Sequence, residues 1–532
     1  MLEWFGALLI ILLVAAVIWP ASKYLGLPSQ STTTGVQGLG QLRREWREKV
    51  AEKCIPNRGG DGGAAGQGVD GSPGESPAVA LICKPSALAN YLLKHCVTFC
   101  KLRPWPWWNW RASPLLQSLL GICWPHDCSV HFVRDHLQMS DDGIVALDWA
   151  VAASASVHKR RRTSSNSTSP ILIIIPNSFG KITRNVVKLC EVALTHGYLP
   201  VIFNRRGHNG TPLSTLKLQQ FGDPADLREA VRYIRYRQPA GRLYAVSEST
   251  GSGLLLSYLG ECGSSSYVTA AACLSPVFRC QSWFEGGGGG GGGGGFTAWP
   301  LHWALLLYQK TWLSRYRTVL GDTVQTDALF SSATLRTMEE LLFCHHPHPH
   351  PSPPSLDPGS SSSSSEATTT TNTSSSTGAW ESYWERNDPL RDIDEVAIPV
   401  LCVCSQDDPV RGEPESSLPL ELFESNPHFF LLLTSQGGHC GFYSAPGGGA
   451  GGESSAASVS SSWSHEALLD FLRATSDFFA AEERAKQQAA RRRGLSGSGK
   501  ALRHRTVSTC RKVPACSHNI HAIYSWQRSY TR

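Results

Sequence analysis

The chain has 532 residues, which is enough for one large α/β domain once its low-complexity stretches are set aside. Its net charge of +6 belongs to one segment, because residues 484–532 contain twelve Lys/Arg and no Asp/Glu, and the rest of the chain carries −6. A basic tail without a folded platform argues against a nucleic-acid partner, and sixteen scattered cysteines match no metal-ligand spacing. We therefore expect no nucleic acid, metal or cofactor to be bound.

An apolar segment near the start, residues 4–20, contains no charged side chain and has Trp4 and Trp19 at its ends. Seventeen residues is the lower limit for a helix that crosses a bilayer, and tryptophan favours the interface. Glu3 and the lack of a basic residue before the segment favour an uncleaved single-pass anchor, residues 1–22, over a cleaved signal peptide, which would make the protein secreted. Basic residues after the segment favour a cytosolic C-terminal side.

Two modifications depend on which side of the membrane the domain lies. A lumenal domain would be a glycoprotein, because the chain has three Asn-x-Ser/Thr acceptor sequences, at Asn166, Asn209 and Asn372. An oxidising lumen would also allow disulfides between close pairs of cysteines, Cys96 with Cys100 and Cys123 with Cys128.

The anchor is followed by a flexible linker, residues 23–78, and by an apolar extension, residues 79–142. Four tryptophans lie within six positions of this extension: Trp105, Trp107, Trp108 and Trp110. They suit core packing, a contact with the membrane surface or the wall of an acyl-binding pocket. Core packing is the default for such residues.

Strands and helices alternate through residues 143–285, the first part of the predicted core. Apolar runs predict five strands, at 143–150, 171–175, 198–204, 243–246 and 270–277. Apolar residues at helical spacing predict a helix over 183–196 and another between Asp223 and Gly241. This alternation is typical of a mostly parallel sheet that is covered by helices on both faces.

Inserts interrupt the second half of the chain. Ten consecutive glycines open the segment 286–343, whose helical, aromatic remainder predicts a lid over the carboxyl edge of the sheet. Residues 344–379 form a low-complexity insert, whose histidines lack the carboxylates or cysteines expected of a metal site. Residues 380–482 complete the core with strands at 396–404 and 428–434 and a helix over about 464–480, and the disordered basic tail is 483–532.

The segment Leu243–Gly260 passes from four β-prone residues to a helical pattern through a turn of small residues, with Ser249 at its apex. Strand, sharp turn and helix are the parts of a nucleophile elbow, which holds a serine in strained backbone geometry. The positions two before and two after this serine must be small, and here they are Ser247 and Gly251. The usual motif has glycine where Ser247 stands.

Two further polar sites follow predicted parallel strands, at the edge where ligands bind in α/β sheets. Asp407 and Asp408 come after one strand, and His439 comes after the next. The order Ser, Asp, His is that of the α/β-hydrolase fold, in which a carboxylate orients the imidazole that takes the proton of the serine. We prefer Asp408 as the acid and Asp407 as a turn residue or loop anchor.

An oxyanion hole is expected beside this serine, because attack on an ester places negative charge on the carbonyl oxygen. Its donors are backbone N–H groups. We predict that of Thr250, which follows Ser249, and that of Ser178, in the loop Pro176–Gly180 after the strand 171–175.

Further segments around these sites carry a resemblance to a known family: Phe203–Gly207, Asp226–Leu227, Leu254–Gly260, Ile398–Cys402, Asp407–Pro409 and Gly437–Phe442. As a set they resemble the AB-hydrolase-4 group of α/β-hydrolase domain proteins, over about residues 80–480 without the inserts. This group contains membrane-anchored lipid esterases and phospholipases. The resemblance implies an α/β-hydrolase fold with a lid and a lipid ester as substrate, and it puts Ser249, Asp408 and His439 at the charge-relay positions.

Two residues depart from the family pattern, since Ser247 and Asn177 stand where the family has glycine. A side chain at either position can crowd the nucleophile or tilt an oxyanion donor. Two hypotheses therefore stand beside each other. One is a membrane-anchored serine hydrolase acting on carboxylic esters of lipids. The other is a hydrolase fold with little or no turnover, kept as a regulatory or scaffolding protein that binds a protein partner in lipid metabolism.

Overall fold

The computed structural model describes residues 79–106, 108–123, 130–152, 168–285, 295–321, 323–344, 372–445 and 462–496. The expected anchor and linker, the glycine run up to residue 294, most of the insert 344–379 and the tail beyond residue 496 lie outside the described residues. Within the described ranges, no helix is both long and apolar enough to span a bilayer.

In the described part of the chain, nine strands form where apolar and β-branched residues are concentrated. They are β1 (Val79–Ile82), β2 (Val130–Gln138), β3 (Ile144–Ala152), β4 (Ile171–Ile175), β5 (Leu199–Asn204), β6 (Leu243–Glu248), β7 (Val268–Leu274), β8 (Val400–Ser405) and β9 (Phe429–Thr434).

The described residues also form fourteen α-helices, several of which cover the sheet. They are α1 (Ala87–His95), α2 (Pro114–Cys123), α3 (Arg184–Thr195), α4 (Ala225–Arg237), α5 (Gly251–Cys262), α6 (Cys280–Phe284), α7 (Gly295–Leu313), α8 (Arg317–Leu320), α9 (Thr326–Ser331), α10 (Leu335–Phe343), α11 (Asn372–Asn387), α12 (Pro414–Ser417), α13 (Leu420–Ser425) and α14 (Trp463–Ser496). Short 3-10 turns occur at Val97–Lys101, Trp110–Ala112, Gly263–Ser265, Ser314–Tyr316 and Ile393–Glu395.

The strands make one sheet in the order β1-β9-β8-β7-β6-β4-β5-β3-β2. The six strands from β9 to β5 in this order run parallel, while β1 pairs antiparallel with β9 and the β2–β3 hairpin closes the other end. The predicted mostly parallel sheet is therefore confirmed. Strands β1 and β2 were not predicted from the sequence. Both lie in the apolar extension, so part of that extension belongs to the sheet itself.

Both faces of the sheet are buried, as the continuous apolar run of β4 predicts. Ile171, Ile173 and Ile175 pack on one side in a cluster with residues of α4 and α5. Leu172 and Ile174 pack on the other side in a cluster with residues of α1, α3 and α14. The fold is thus three layers, helix–sheet–helix, with the strand ends free to carry a site.

A lid covers the carboxyl edge, as predicted. Its own core includes Leu313, Leu329 and Met338, and it reaches Phe179 and Phe221 in loops that follow β4 and β5. Trp312 Nε1 and Tyr316 Oη both donate to the carbonyl oxygen of Gly207, at 2.7 and 2.9 Å. The aromatic residues Trp380, Tyr383 and Trp384 of α11 pack in this lid, although the sequence analysis assigned them to the core.

Several expectations differ from the structure in detail. The last helix, α14, continues to Ser496 instead of ending near residue 480, and it is exposed from Arg484 to Arg491. Trp105 is buried in the core and donates from Nε1 to the carbonyl oxygen of Tyr443, whereas Trp108 is 70% exposed. Trp107 and the side chain of Trp110 lie outside the described residues.

The cysteine pair in the extension is not bridged. Cys96 and Cys100 are free thiols, and the side chains of Cys123 and Cys128 are outside the described part of the chain. Burial raises the pKa of the Cys96 thiol well above its usual range. The thiol at this position is therefore protonated and acts as a small apolar group.

Candidate active site

The predicted nucleophile elbow forms as expected. Strand β6 ends at Glu248, helix α5 begins at Gly251, and Ser249 lies between them with a φ of 54°. This left-handed conformation costs free energy for a residue with a β-carbon, and it is held here because the Ser249 N–H donates to the carbonyl oxygen of Leu274 at 2.8 Å. The strain places the hydroxyl at the carboxyl edge of the sheet.

A glycine after the serine allows the elbow to approach the oxyanion loop. A β-carbon at Gly251 would lie 2.2 Å from the carbonyl oxygen of Pro176, far inside van der Waals contact. The obstacle is backbone, so a side chain could fit only if the loop moved. The motif requires a small residue at position 251, and the nearby carbonyl oxygen of Pro176 is the physical reason for it in this protein.

The three predicted triad residues lie within hydrogen-bond distance of one another. Ser249 Oγ is 2.7 Å from His439 Nε2, and His439 Nδ1 is 2.9 Å from Asp408 Oδ2 and 3.0 Å from Oδ1. The carboxylate accepts from Nδ1–H, which leaves Nε2 to accept the proton of the serine. The catalytic role of these residues stays a prediction, but their geometry is that of a nucleophile, a base and an orienting acid.

The two neighbouring aspartates have different environments. Burial opposes the charge of Asp408, but His439 and Arg411 outweigh it and hold the pKa of Asp408 below its usual range. Asp408 Oδ1 also accepts from the N–H groups of Val410 and Arg411. Asp407 instead accepts from the N–H of Gly438 at 2.9 Å, and burial raises its pKa to about 6. Asp407 thus anchors the histidine loop, while Asp408 contacts the histidine.

Three residues that were not predicted from the sequence position the loop that carries His439. Ser118 Oγ accepts from the His439 N–H at 2.8 Å, Ser275 Oγ accepts from the Cys440 N–H at 2.9 Å, and Asn185 Nδ2 donates to the Cys440 carbonyl oxygen at 2.6 Å. They come from α2, the end of β7 and α3, and no local motif marks them. The apolar extension therefore helps to fix the candidate base, through Ser118.

Glu248 is a further buried group that the motif did not identify. Its carboxylate accepts from Thr183 Oγ1 at 2.8 and 3.0 Å. Burial raises its pKa to about 7, although Thr183 and the charge of His439 act in the opposite direction. A carboxyl group that titrates near neutral pH therefore lies directly beside the candidate nucleophile.

The predicted oxyanion residues are brought together, but one donor is already engaged. The Ser178 N–H donates to Thr250 Oγ1 at 3.0 Å, and Ser178 Oγ donates to the same atom at 2.8 Å. A substrate oxygen can receive the Ser178 N–H only after the Thr250 hydroxyl turns away. This Ser178–Thr250 contact therefore occupies one of the two predicted oxyanion donors.

The oxyanion loop also contacts Asn209, which is one of the predicted glycosylation sites. Asn209 Nδ2 donates to the carbonyl oxygen of Gly180 at 2.6 Å and to Asn204 Oδ1 at 2.8 Å. An N-linked sugar would replace one of these two N–H groups. The amide of Asn209 thus supports the oxyanion loop and is poorly suited to carry a glycan.

Of the two departures from the family pattern, Ser247 is fully buried and Asn177 is half-buried. Ser247 Oγ and Asn177 Oδ1 find no hydrogen-bond partner among the described residues. The side chain of Ser247 does not displace Ser249, because the hydrogen bond between Ser249 and His439 forms at 2.7 Å. Within the described ranges, no group of three His, Cys, Asp or Glu side chains is arranged to hold a metal ion.

Comparisons with known proteins identify the family of the chain. No family model matches the chain. The human protein ABHD15 (Homo sapiens) is 45% identical over 503 residues, which cover 92% of this chain and 95% of the relative. The phospholipase ABHD3 of Mus musculus is 24% identical over 377 residues, or 68% of this chain and 78% of the relative. A solved esterase of Pyrococcus furiosus shares 11% identity over 64% of this chain and 89% of its own, with a TM-score of 0.33. With its fold and its long match to ABHD15, the chain belongs to the ABHD15 family within the AB-hydrolase-4 group of the α/β-hydrolase superfamily.

Proposed function

We propose that the protein is a serine hydrolase that cleaves carboxylic esters of lipids through an acyl-enzyme. The observation that carries the proposal is the chain of hydrogen bonds from Ser249 through His439 to Asp408, at a strained elbow. A lipid substrate is supported by the relative named as a phospholipase and by the aromatic lid over the site.

The proposed reaction follows from these contacts. Ser249 Oγ attacks the ester carbonyl while His439 Nε2 takes its proton, and Asp408 stabilises the imidazolium that results. The N–H groups of Thr250 and Ser178 would bind the oxyanion once the Thr250 hydroxyl has turned away. His439 then returns the proton to the leaving alcohol, and the ester bond between acyl group and alcohol breaks. Water activated by the same imidazole releases the fatty acid from Ser249.

Active-site labelling tests this proposal directly. A fluorophosphonate probe should label the purified wild type, because the activated serine attacks its phosphorus, and should not label Ser249→Ala. Ser247→Ala is the matched control, since it removes a serine hydroxyl two residues away that makes no hydrogen bond with the described residues. A wild type that stays unlabelled, under conditions that label a known serine hydrolase, would contradict the proposal.

The Ser178–Thr250 contact favours a second candidate, a hydrolase fold that acts as a regulatory or scaffolding protein in lipid metabolism. Loss of one oxyanion donor lowers turnover by roughly 10²–10³. The double change Ser247→Gly with Asn177→Gly restores the family's glycines and should bring labelling up if those side chains suppress activity. A double variant that stays unlabelled, together with partner binding that survives Ser249→Ala, would support the scaffold.

A further inference from the structure

A cavity of about 50 Å³ lies beside the oxyanion loop, between the sheet edge and the lid. Ser178 and Phe179 of the loop form part of its wall, and Trp312 and Phe343 close it from the lid. This volume holds a few water molecules or one small polar group, and it is too small for an acyl chain. The cavity also contains a buried cation, Arg205.

Arg205 is 5% exposed and makes only weak contacts. Its guanidinium donates to the carbonyl oxygens of Gln220 and Phe221, at 3.4 and 3.5 Å, although it carries five N–H donors. No carboxylate of the described residues lies within 4.0 Å of its nitrogens. Burial lowers the pKa of Arg205 to about 10, although Tyr383, Glu339 and Asp226 act in the opposite direction from beyond ion-pair distance.

The next residue shows how a structural arginine in this loop is satisfied. Arg206 bonds both oxygens of Asp226, at 2.6 and 2.7 Å, and both oxygens of Asp141, at 2.7 and 2.9 Å. Arg206 is therefore neutralised within the fold. Arg205 is one position away and lines the same cavity, but no carboxylate of the described residues pairs with it.

The other titratable groups of the cavity leave Arg205 as its main charge. His208 is stacked on Trp312 and its Nδ1 bonds the carbonyl oxygen of Arg206, and burial lowers its pKa to about 4, so it is neutral. Glu339 accepts from Tyr383 Oη at 2.6 Å, and burial raises its pKa to about 7. The charge of Arg205 acts in the opposite direction on Glu339, but the two side chains form no ion pair within 4.0 Å, so Arg205 keeps N–H donors for another acceptor.

We infer that Arg205 binds an anionic oxygen group, a phosphate or a carboxylate, on the alcohol part of the lipid ester. The planar guanidinium fork matches both groups. The inference rests on the proposed hydrolase function for its substrate, because Ser178 borders both the cavity and the predicted oxyanion hole. The cavity therefore borders the predicted oxyanion hole, with Ser178 as the residue that the two share.

Binding of non-hydrolysable probes tests the inference without turnover. Octyl phosphate, 1-octanol and inorganic phosphate are titrated against the full chain, and tryptophan fluorescence is followed because Trp312 lines the cavity. We expect octyl phosphate to bind about tenfold or more tightly than octanol, as for a hydrogen bond to a charged group, and inorganic phosphate to bind weakly. Arg205→Met should make the two octyl probes equal, and Arg205→Lys should keep part of the preference.

Controls separate binding from folding. Arg232→Gln removes an exposed positive charge on α4 and should leave the preference intact. Arg205→Met should melt at or above the wild-type temperature, because it removes a buried charge without a partner, whereas loss of a purely structural arginine would lower the melting temperature. A preference that survives Arg205→Met, or inorganic phosphate binding as tightly as octyl phosphate, would overturn the inference. If the protein is labelled by fluorophosphonate but does not prefer octyl phosphate over octanol, only the anion site is overturned. If it prefers octyl phosphate but is not labelled, only the hydrolase function is overturned.

Discussion

Glu248 lies between the two serines of the elbow, and its state of protonation affects the whole site. When it is ionised, a negative charge lies beside Ser249 and within electrostatic reach of His439. Burial opposes that charge, because Glu248 is only 4% exposed. We expect the protein to be most stable when Glu248 is neutral.

The pH dependence of stability should show this group. The folded pKa of about 7 lies above the ordinary value of 4.5, so the folded state holds the proton more tightly than the unfolded state. Stability from this group is therefore present below pH 4.5 and is lost as the pH rises through 7. Between these limits we expect wild type to lose on the order of 3 kcal/mol relative to Glu248→Gln.

Denaturant unfolding of both proteins from pH 4.5 to 8 measures the difference. Comparison with the variant is needed because Asp407 and Glu339 also titrate at raised pKa values, of about 6 and 7, and these contribute to both curves. Parallel curves for wild type and Glu248→Gln would show that the carboxyl group of Glu248 does not titrate in this range.

At the scale of elements, the site depends on two loops that follow neighbouring strands. Strands β4 and β6 are paired in the sheet, with Ile175 opposite Ser247. The oxyanion loop follows β4 and the elbow follows β6, so the spacing of paired strands sets the distance between Ser178 and Ser249. Close approach of these two loops is possible because Gly251 has no β-carbon.

Gly251→Ala should disrupt this approach. The new β-carbon would meet the backbone of Pro176 at 2.2 Å, and the strain of such overpacking is typically about 1–3 kcal/mol. Thermal unfolding should show a lower melting temperature, and fluorophosphonate labelling should fall as the oxyanion loop shifts. Gly378→Ala in helix α11 is the matched control, because no atom lies within 4 Å of its β-carbon and alanine favours helices. Equal melting temperatures for the two variants would contradict the close approach.

Elements with strong local patterns were predictable from the sequence, and elements fixed by distant partners were not. Strand β4 is five consecutive apolar residues and was predicted without error. Strand β2 is largely exposed and contains many polar residues, and β1 is only four residues long. Neither strand therefore has a sequence pattern that predicts it clearly. The same holds within the site. Ser249 and His439 follow strands in a known order, whereas Ser118 is 321 residues from the histidine that it supports.

At the scale of the whole molecule, the domain needs a route to the lipid substrate that we propose for it. We propose that residues 4–20 hold the domain at a membrane, since this segment contains no charge and ends in tryptophan on both sides. A domain held there would meet lipid esters by diffusion in two dimensions.

Removal of residues 4–20 should release the protein from membranes. The full chain should sediment with membranes after a high-salt wash, and the deleted chain should appear in the supernatant, because only the apolar segment resists salt. Deletion of residues 497–532 is the control, since it removes basic residues whose membrane contacts salt would screen. Sedimentation that is unchanged by the first deletion would contradict an anchor at this position.

The pairing of β1 with β9 has a consequence for biosynthesis. Ile82 lies opposite Leu431, so 349 residues must leave the ribosome before the first strand meets its partner. At usual rates of translation this takes roughly 17 to 70 s. During that time the Val-Ala-Leu-Ile segment stays open to chaperones or to pairing with the edge strand of another nascent chain. The order of the strands along the chain therefore delays completion of the sheet until late in synthesis.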